Sequence, residues 1–328
     1  MMKKLTALLT ALFLLLSATA LADEVIHIGI IQFAEHGSLD NCRIGFIEGL
    51  AEEGFVEGEN VVFDVQNAQA DTAISAQIAD VMAGKYDMIC AIATPAAMAA
   101  FNAAEDAGIP VIYTAVSDPV SAMLAGADGK NPGNITGTSD ALNTEFIMDM
   151  IFAQNPNVAK VGLLYSLNEP NSTKPIADAK AYLDAKGIEY VEQTANTNDE
   201  VVAAASALIA AGVDAVFTPT DNVIMAAEMA IAEDLAANGI PHYTGADSFV
   251  RNGAYATCGV NYTDLGAKTA DLAYKAITEG MDGMEDYYLM DGGIITVNTD
   301  TAAMIGKQAE YSCFDSMGTV VEVTTTKD

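Results

Sequence analysis

The chain has 328 residues, of which 51% are hydrophobic and 18% are charged. This length and composition allow two globular lobes with cores of their own and exclude a single small domain. The formal net charge is −31, from 45 acidic and 14 basic residues. Such a surface repels phosphate backbones and argues against a nucleic-acid partner, so we interpret the dispersed carboxylates as a source of solubility.

Residues 1–22 have the features of a secretory signal peptide. Lys3 and Lys4 supply positive charge, an apolar stretch follows, and Ala20–Ala22 forms a small-residue cleavage site. The apolar stretch is too short for a transmembrane anchor, and no other run of about 18 apolar residues occurs. Because no cysteine stands at the cleavage site, we expect no lipid anchor and an exported, soluble mature protein.

From residue 25 the sequence alternates between Val/Ile-rich runs and amphipathic stretches, a pattern typical of a parallel α/β sheet. The first half predicts strands at 25–31, 60–67, 86–93 and 109–116, with helices at 40–53, 71–84 and 96–108 between them. Asp71 is the expected N-cap of its helix. The second half predicts strands at 158–166, 188–195, 213–220 and 240–246, with helices at 173–186, 198–211 and 221–237.

The two halves also resemble each other. Residues 104–118 and 232–248 share a helix end, Gly-Ile-Pro and a strand that carries Tyr-Thr, and a Thr-Pro pair precedes each of them. Residues 126–140, rich in Gly and Asn, are interpreted as a connection without an element of its own. The repeat predicts two Rossmann-like lobes with a cleft between them, and ligands of such sheets bind beyond the carboxyl ends of the strands.

Two loops of the first half are candidates for ligand contacts. Gln32 and His36 follow the first strand, where a solvated loop is an equal alternative and Asp40 is expected to cap the next helix. Thr94 ends a buried strand, and Ala96 and Ala97 would leave the first helical N–H groups open to a carboxylate. The alternative for this turn is an ordinary helix start with Pro near its first position.

The loops of the second half are richer in polar groups. Their candidate ligand residues are Asn168, Glu169, Asn171, Ser172, Thr220, Asp221, Asn222 and Asp247. A ligand ammonium needs a carboxylate acceptor, which Glu169, Asp221 or Asp247 could provide. We favour a helix-capping role for Asp221 and a ligand role for Asp247.

Catalytic and metal-binding patterns are missing from the sequence. It has no GxSxG, P-loop or GxGxxG motif, and His27 and His242 fall inside predicted strands. The four cysteines, Cys42, Cys90, Cys258 and Cys313, have no zinc-ligand spacing, so we expect no metal or other cofactor. If an exported chain pairs any of them, we expect Cys258 with Cys313; buried free thiols are the alternative.

Residues 28–64, from "IGIIQFAEHGSLD" to "EGENVVFD", resemble the opening of the ABC-transporter substrate-binding family typified by tryptophan- and tyrosine-type binding proteins. Further similar motifs are "ATPAA" (93–97), "VSDPV" (116–120), "NITGTSD" (134–140), "LYSLNEPNS" (164–172), "FTPTDN" (217–222) and "GADS" (245–248). The resemblance covers essentially the whole chain after the signal peptide. At residue 37 this chain has Gly where family members carry Pro.

The resemblance implies a periplasmic binding protein of type I, an α/β fold of two Rossmann-like lobes joined by three crossings. Lobe 1 would comprise residues 23–139 and 263–283, and lobe 2 residues 140–262 and 284–328. The implied ligand is an amino acid, often aromatic, with its carboxylate near Thr94–Ala97 and with Ser117 and Asp118 near the same cleft.

The resemblance also implies an ABC permease in the inner membrane as the partner of a monomeric periplasmic protein. The rings near the loops belong to Phe33, Tyr113, Tyr165 and Phe249, of which Tyr113 and Tyr165 are expected in the core. Two other functions stay open: a ligand sensor for a signalling partner, and an exported α/β enzyme. A repressor is excluded because the signal peptide stands where its DNA-binding motif would be.

Overall fold

The computed structural model of the protein describes residues 25–126, 132–306 and 310–326. The predicted signal peptide lies outside these ranges. None of the helices described is long and apolar enough to cross a membrane.

The first sheet is built from strands that alternate with helices. In chain order the elements are β1 (Ile26–Gln32), α1 (Gly37–Glu52), β2 (Val61–Asn67), α2 (Thr72–Ala83), β3 (Met88–Ile92), α3 (Thr94–Ala104), β4 (Val111–Thr114) and β5 (Ile135–Ser139). β3, β4 and β5 are buried along their whole length, as the central strands of a sheet covered on both faces should be. The strands are parallel in the order β5-β4-β3-β1-β2.

The second sheet repeats this plan. Its elements are α4 (Thr144–Gln154), β6 (Lys160–Tyr165), α5 (Pro170–Lys186), β7 (Glu189–Thr194), α6 (Asn198–Ala211), β8 (Ala215–Thr218), α7 (Asn222–Ala237), β9 (His242–Thr244), α8 (Asp247–Arg251) and β10 (Ala256–Gly259). The strand order β10-β9-β8-β6-β7 mirrors that of the first sheet. The carboxyl ends of the two sheets therefore provide two sets of equivalent loops.

The chain then crosses back to the first sheet. Helix α9 (Tyr262–Glu279) packs so closely on α1 that a Cβ on Gly45 would lie 2.1 Å from the carbonyl oxygen of Thr263. Gly266 meets the carbonyl oxygen of Cys42 in the same way. These two glycines allow the helices to touch backbone to backbone.

A short strand, β11 (Tyr288–Leu289), pairs with β5 at the edge of the first sheet. Residues 288–289 were expected in the second lobe, whose last segment was placed from 284 onward; the strand pairing corrects this. The final elements are β12 (Ile294–Asn298), α10 (Thr299–Met304), a 3-10 helix (Tyr311–Ser316) and β13 (Thr319–Val323). Both strands join the second sheet, with β12 antiparallel to β10.

The expected connection at 126–140 is also corrected, because Ile135–Ser139 forms the fully buried strand β5. Small residues hide this strand from a hydrophobicity pattern. Gly137 is required there, since a Cβ would lie 2.2 Å from the carbonyl oxygen of Tyr113 on β4. The close approach of β4 and β5 explains why a Gly-rich segment is a strand here.

Three helices begin earlier than the sequence predicts. Helix α1 begins at Gly37 and α5 at Pro170, and α3 begins at Thr94 in place of Ala96. Asp40 is consequently inside the first turn of α1, where it accepts hydrogen bonds from Gln32 and Arg43 and caps nothing. The prediction that it caps the helix is wrong.

The predicted caps of Asp71 and Asp221 are confirmed. Asp71 accepts hydrogen bonds from the backbone N–H groups of Ala73 and Ile74. Asp221 does the same for Val223 and Ile224 at the start of α7. Of the two alternatives for the cysteines, the structure has the free thiols: no Cys258–Cys313 disulfide forms, and three of the four thiols are buried.

Candidate functional site

A small cavity lies between the carboxyl ends of the two sheets, with a volume of about 20 Å³. This is room for about one water molecule, so a larger ligand requires the lining side chains to move apart. We call it the interlobe cavity. Its lining residues are His36, Ser38, Leu39, Ala93, Thr94, Ala115, Ser117, Asp140, Asn171, Thr220, Asp221, Asn222, Met225, Ala246, Phe249 and Tyr262.

The two sides of the cavity are joined by direct hydrogen bonds. His36 Nε2 lies 3.0 Å from Asn222 Oδ1, and Ser117 Oγ lies 2.9 Å from Thr220 Oγ1. Ser38 Oγ donates to Ser248 Oγ at 2.8 Å. Each bond connects a residue at the carboxyl end of the first sheet to one at the carboxyl end of the second, in a loop or at a helix start, so the cleft is closed in this structure.

The start of helix α3 opens onto the cavity. Its N-cap position is Ala93, so the first turn receives no side-chain cap from the residues that the structure describes. The hydroxyl of Thr94 is buried and has no hydrogen-bond partner there either. First-turn N–H groups and a hydroxyl at the positive end of a helix are suited to hold a carboxylate.

Ala93 has a φ of 83° and a ψ of 154°, a conformation that is strained for any residue with a side chain. Ala115, the residue that follows the neighbouring strand β4, also has a positive φ, of 55°. Both alanines line the cavity. The small residues allow a ligand to come close to the backbone at the ends of β3 and β4.

Ala96 and Ala97 were predicted to contact the ligand carboxylate. Both are fully buried, and neither lines the cavity. The N–H group of Ala97 donates to the carbonyl oxygen of Ala93 at 3.0 Å. Thr94 is therefore the residue of this turn whose side chain reaches the cavity.

Three polar side chains form a chain of hydrogen bonds across the cleft. Asn222 Nδ2 donates to Glu169 Oε2 at 3.0 Å. This bond identifies Asn222 Oδ1 as the acceptor that faces His36 Nε2, so His36 carries its proton on Nε2. Burial lowers the pKa of His36, which keeps the ring neutral and leaves Nδ1 as an acceptor.

Three buried acceptor atoms at this side of the cavity lack a donor among the described residues. They are His36 Nδ1 and Asn171 Oδ1, on residues that line the cavity, and Oε1 of Glu169, which does not line it but is bonded to the lining residue Asn222. The amide of Asn171 is oriented by its Nδ2 group, which donates to the carbonyl oxygen of Thr220 at 2.6 Å. Buried acceptors without donors are costly, and a ligand ammonium would supply the missing donors.

The two carboxyl groups of the second lobe differ in their surroundings. Burial, reinforced by the nearby Asp221, raises the pKa of Glu169 well above its usual range. Burial also raises the pKa of Asp221, which accepts hydrogen bonds from the backbone N–H of Ser166 and from Ser172 Oγ in addition to its cap bonds. The oxygens of Asp221 and the hydroxyl of Ser172 are thus used in hydrogen bonds within the protein, whereas Glu169 Oε1 has no donor among the described residues.

The other part of the cavity is mainly apolar. Leu39, Met225, Phe249 and Tyr262 line it. Asp140 lies beside them, where its two oxygens accept hydrogen bonds from Ser117 Oγ and the Tyr262 hydroxyl, each at 3.0 Å. Burial raises the pKa of Asp140 above its usual value.

Sequence reasoning missed Asp140 and Tyr262. Asp140 directly follows β5, and a strand in that segment would have identified it as a strand-end residue. Tyr262 begins α9 and is brought to the cavity by the crossing back to the first sheet. No local sequence signal indicates that placement.

Besides Ala96 and Ala97, six predicted site residues do not line the cavity: Gln32, Asp118, Asn168, Glu169, Ser172 and Asp247. Gln32 is buried and bonded to Ala34, Asp40 and Arg43, so it holds the loop after β1. Asp118 accepts hydrogen bonds from Ser121, and Asn168 is exposed. Asp247 pairs with Arg251 at 3.0 Å and accepts a bond from Ser38 at 3.4 Å.

The remaining rings and histidines have other surroundings. Tyr113 and Phe33 are core residues, whereas Tyr165 is half-buried and donates to Glu192. His242 is buried between Glu228 and Thr218, and His27 is exposed. The part of the chain that the structure describes contains no group of three or more metal-ligating side chains that could hold a metal ion.

Residues 27–306 match the family model described as "ABC transporter substrate binding protein". A curated relative named tyrosine-binding protein, from Clostridioides difficile strain R20291, is 36% identical over 86% of this chain and 81% of its own length. These matches confirm the resemblance inferred from the motifs.

Two solved structures of relatives, one with a bound ligand and one without, superpose on this chain to different degrees. One, an ABC domain from Streptococcus pneumonia in complex with L-Trp, is 29% identical and superposes with a TM-score of 0.83 over 90% of this chain and 99% of that one. The other, a substrate-binding protein with adhesive properties from Clostridium difficile, is described as ligand-free and open. It is 34% identical but reaches a TM-score of only 0.67, over 92% of this chain and all of that one. The predicted two-lobed α/β fold is confirmed, and the arrangement of the lobes resembles the ligand-bound relative.

Proposed function

The chain belongs to the ABC transporter substrate-binding protein family, and we propose that it binds an aromatic L-amino acid in the interlobe cavity and delivers it to an ABC permease. The relatives named for tyrosine and for tryptophan support this ligand class. The family is one of binding proteins, which supports a receptor and not an enzyme.

One observation carries the proposal: the buried polar atoms without partners complement a zwitterion. The Thr94 hydroxyl and the start of α3 offer donors to a carboxylate. Glu169 Oε1, Asn171 Oδ1 and His36 Nδ1 offer acceptors to an ammonium. Since no lysine or arginine is among the described lining residues, neutral donors must hold the carboxylate.

The apolar part of the cavity would receive the side chain of the ligand. Leu39, Met225, Phe249 and Tyr262 provide aliphatic, thioether and aromatic surfaces for an aromatic ring. Such surfaces bind by excluding water and have little preference among rings of similar size.

Binding would favour the closed form because the proposed contacts come from both lobes. Thr94 lies on the first lobe, and Glu169 and Asn171 lie on the second. A ligand that contacts both lobes binds the closed form better and shifts the population toward it. Release to the permease would then require the cleft to open.

The family is extracytoplasmic, and the finer location is part of the proposal. The signal-peptide features of residues 1–22 support export to the periplasm, where the protein would act as a monomer beside the permease of the inner membrane. For the lobes, we propose residues 23–139 and 263–289 for the first, with the rest of the chain after residue 139 in the second.

A thermal-shift screen of the amino acids tests the proposal. Ligands that bind only the folded state raise the melting temperature by mass action. We expect L-tyrosine or L-tryptophan to raise it by several degrees and the charged amino acids to leave it unchanged. A shift caused only by sugars or nucleosides, or by none of these compounds, would contradict the proposed ligand.

A further inference from the structure

On the basis of the proposed function, we infer that Asp140 is a specificity-determining residue: its carboxylate accepts a hydrogen bond from a donor on the ligand ring. The cavity would therefore select a phenol or an indole over an unsubstituted phenyl ring.

Asp140 is placed in the cavity by the fold. It directly follows β5, at the same sheet edge as Ser117 after β4 and Thr94 after β3. Its carboxylate is bonded to Tyr262, whose ring lines the apolar part together with Phe249. A charged acceptor thus borders the surface that would contact the ligand ring.

The carboxylate has acceptor capacity to spare. An ionised carboxylate can accept about four hydrogen bonds. Asp140 receives one on each oxygen, from the hydroxyls of Ser117 and Tyr262. The lining residues of the described cavity include no lysine or arginine that could pair with it.

A ligand ammonium is better matched elsewhere. Glu169, Asn171 and His36 each present a buried acceptor atom with no donor in the described structure. Asp140 already accepts from two donors, so it does not need the ammonium. Apart from its ammonium group, an aromatic amino acid has one further kind of donor, the hydroxyl of a phenol or the N–H of an indole.

The lone pairs of Asp140 that Ser117 and Tyr262 leave free can discriminate between ligands. A phenyl ring would cover the Asp140 carboxylate, remove its water and return no hydrogen bond. Sites built to bond a substrate hydroxyl or N–H reject the analogue without it far more strongly than apolar pockets distinguish a methylene. The surrounding apolar residues cannot provide this selectivity themselves.

Isothermal titration calorimetry with L-tyrosine, L-tryptophan and L-phenylalanine tests the inference. For the unchanged protein we expect the better of the first two to bind at least about tenfold more tightly than L-phenylalanine. In Asp140→Asn, we expect this preferred ligand to weaken at least about tenfold and L-phenylalanine to change less than about threefold.

Asp118→Asn is the matched control, because Asp118 lies 22 residues earlier in the chain, bonds Ser121 and does not line the cavity. It should leave all three affinities unchanged. The melting temperature and circular dichroism spectrum of each ligand-free variant report folding. If Asp140→Asn does not fold, the ratio of affinities in the unchanged protein remains a test that needs no substitution.

Equal affinity for the three ligands in the unchanged protein would overturn the role of Asp140 while the proposed function stands. An equal loss for all three in Asp140→Asn would also overturn it, since Asp140 would then hold the ammonium or the fold. No change in that variant would overturn it as well. Absence of binding by any amino acid would contradict the proposed function itself.

Discussion

The two Thr-Pro corners of the molecule occupy equivalent places and differ in what their helices do with the free N–H groups. At the second corner, Asp221 caps α7 and accepts four hydrogen bonds, from Val223, Ile224, Ser166 and Ser172. At the first corner, α3 begins after an alanine and has no side-chain cap from the described residues. The first N–H groups of α7 are therefore capped by a side chain of the protein, and those of α3 are not.

The threonines of the two corners lie at different positions, Thr94 at the start of α3 and Thr218 at the end of β8, and they also differ in their partners. Thr218 Oγ1 is bonded to His242 Nε2 at 2.8 Å, whereas Thr94 Oγ1 has no partner within the described ranges. One corner is thus used for stability, and we propose that the other is used for binding. The open corner can accept a ligand anion because nothing of the protein occupies its donors.

The largest expected effect comes from removing the internal cap. Asp221→Ala would leave buried donors unpaired and remove the cap of α7, so we expect the free energy of unfolding to fall by at least about 3 kcal/mol. Chemical denaturation of the ligand-free protein measures it. Asp71→Ala is the matched control, because Asp71 is an exposed cap with two backbone donors, and it should cost about 1 kcal/mol. Equal losses in both variants would contradict the comparison.

A substitution at the open corner should lower ligand affinity and leave the stability of the ligand-free protein nearly unchanged. In Thr94→Val, we expect affinity for the amino acid to fall by roughly 10- to 100-fold, because a hydrogen bond to a charged group contributes about 1.5–3 kcal/mol. The stability of the ligand-free protein should change by less than about 1 kcal/mol, since the hydroxyl has no partner to lose. Thr218→Val should lower stability with a smaller effect on affinity. Calorimetric titration and thermal unfolding of both variants separate the two roles.

Glu169 extends the comparison to the acceptors of the second lobe. Because burial raises its pKa, its carboxyl group favours the protonated state in the folded protein, and its contribution to stability is present at low pH and lost as pH rises through the folded pKa. Glu169→Gln should therefore stabilise the ligand-free protein at pH 8 by about 1 kcal/mol and weaken amino acid binding at least about tenfold.

Binding to the unchanged protein should weaken as pH falls, because the protonated Glu169 must lose its proton to accept from an ammonium. Titrations between pH 8 and pH 5 measure this slope, and Glu169→Gln should flatten it. A pH profile that is the same in both proteins would show that Glu169 does not receive the ammonium.

The smallest expected effect concerns the strained alanine before the open corner. The positive φ of Ala93 costs roughly 1–3 kcal/mol, and Ala93→Gly removes this strain. The greater freedom of glycine in the unfolded chain costs about 0.5–1 kcal/mol, so we expect the free energy of unfolding to rise by about 1 kcal/mol. Ala91→Gly, in the regular part of β3, should destabilise by comparison. Thermal unfolding of both variants is the measurement, and a loss in Ala93→Gly would mean that the strain is not released by glycine.

The fold was largely predictable because its signals are local. Continuous apolar runs identify the buried strands, and Asp71 and Asp221 are recognisable caps. The exceptions are two strands that form only because of their neighbours. The side chains of β5 are small and include a glycine because the strand packs tightly on β4, and β11 has only two residues.

The site was predictable only in part. His36, Thr94, Ser117, Asn171, Thr220, Asp221 and Asn222 line the cavity as strand-end reasoning indicates. That reasoning cannot tell which polar side chains have all their hydrogen bonds within the protein, as Gln32 and Ser172 do. It also cannot locate Tyr262. This residue is more than a hundred positions after its hydrogen-bond partner Asp140 in the sequence, and the two meet only because the chain crosses back to the first lobe.

The central claim is that the interlobe cavity holds the carboxylate of an aromatic amino acid at the open start of α3. Calorimetric titration of the unchanged protein with L-tyrosine and L-tryptophan, and with the amides that neutralise their carboxylates, tests it most directly. We expect at least one of the two acids to bind and its amide to bind at least about tenfold more weakly, since the amide loses the charge-assisted bonds to Thr94 and the helix start. An amide that binds as tightly as its acid, or an unchanged protein that binds neither acid, would contradict the claim.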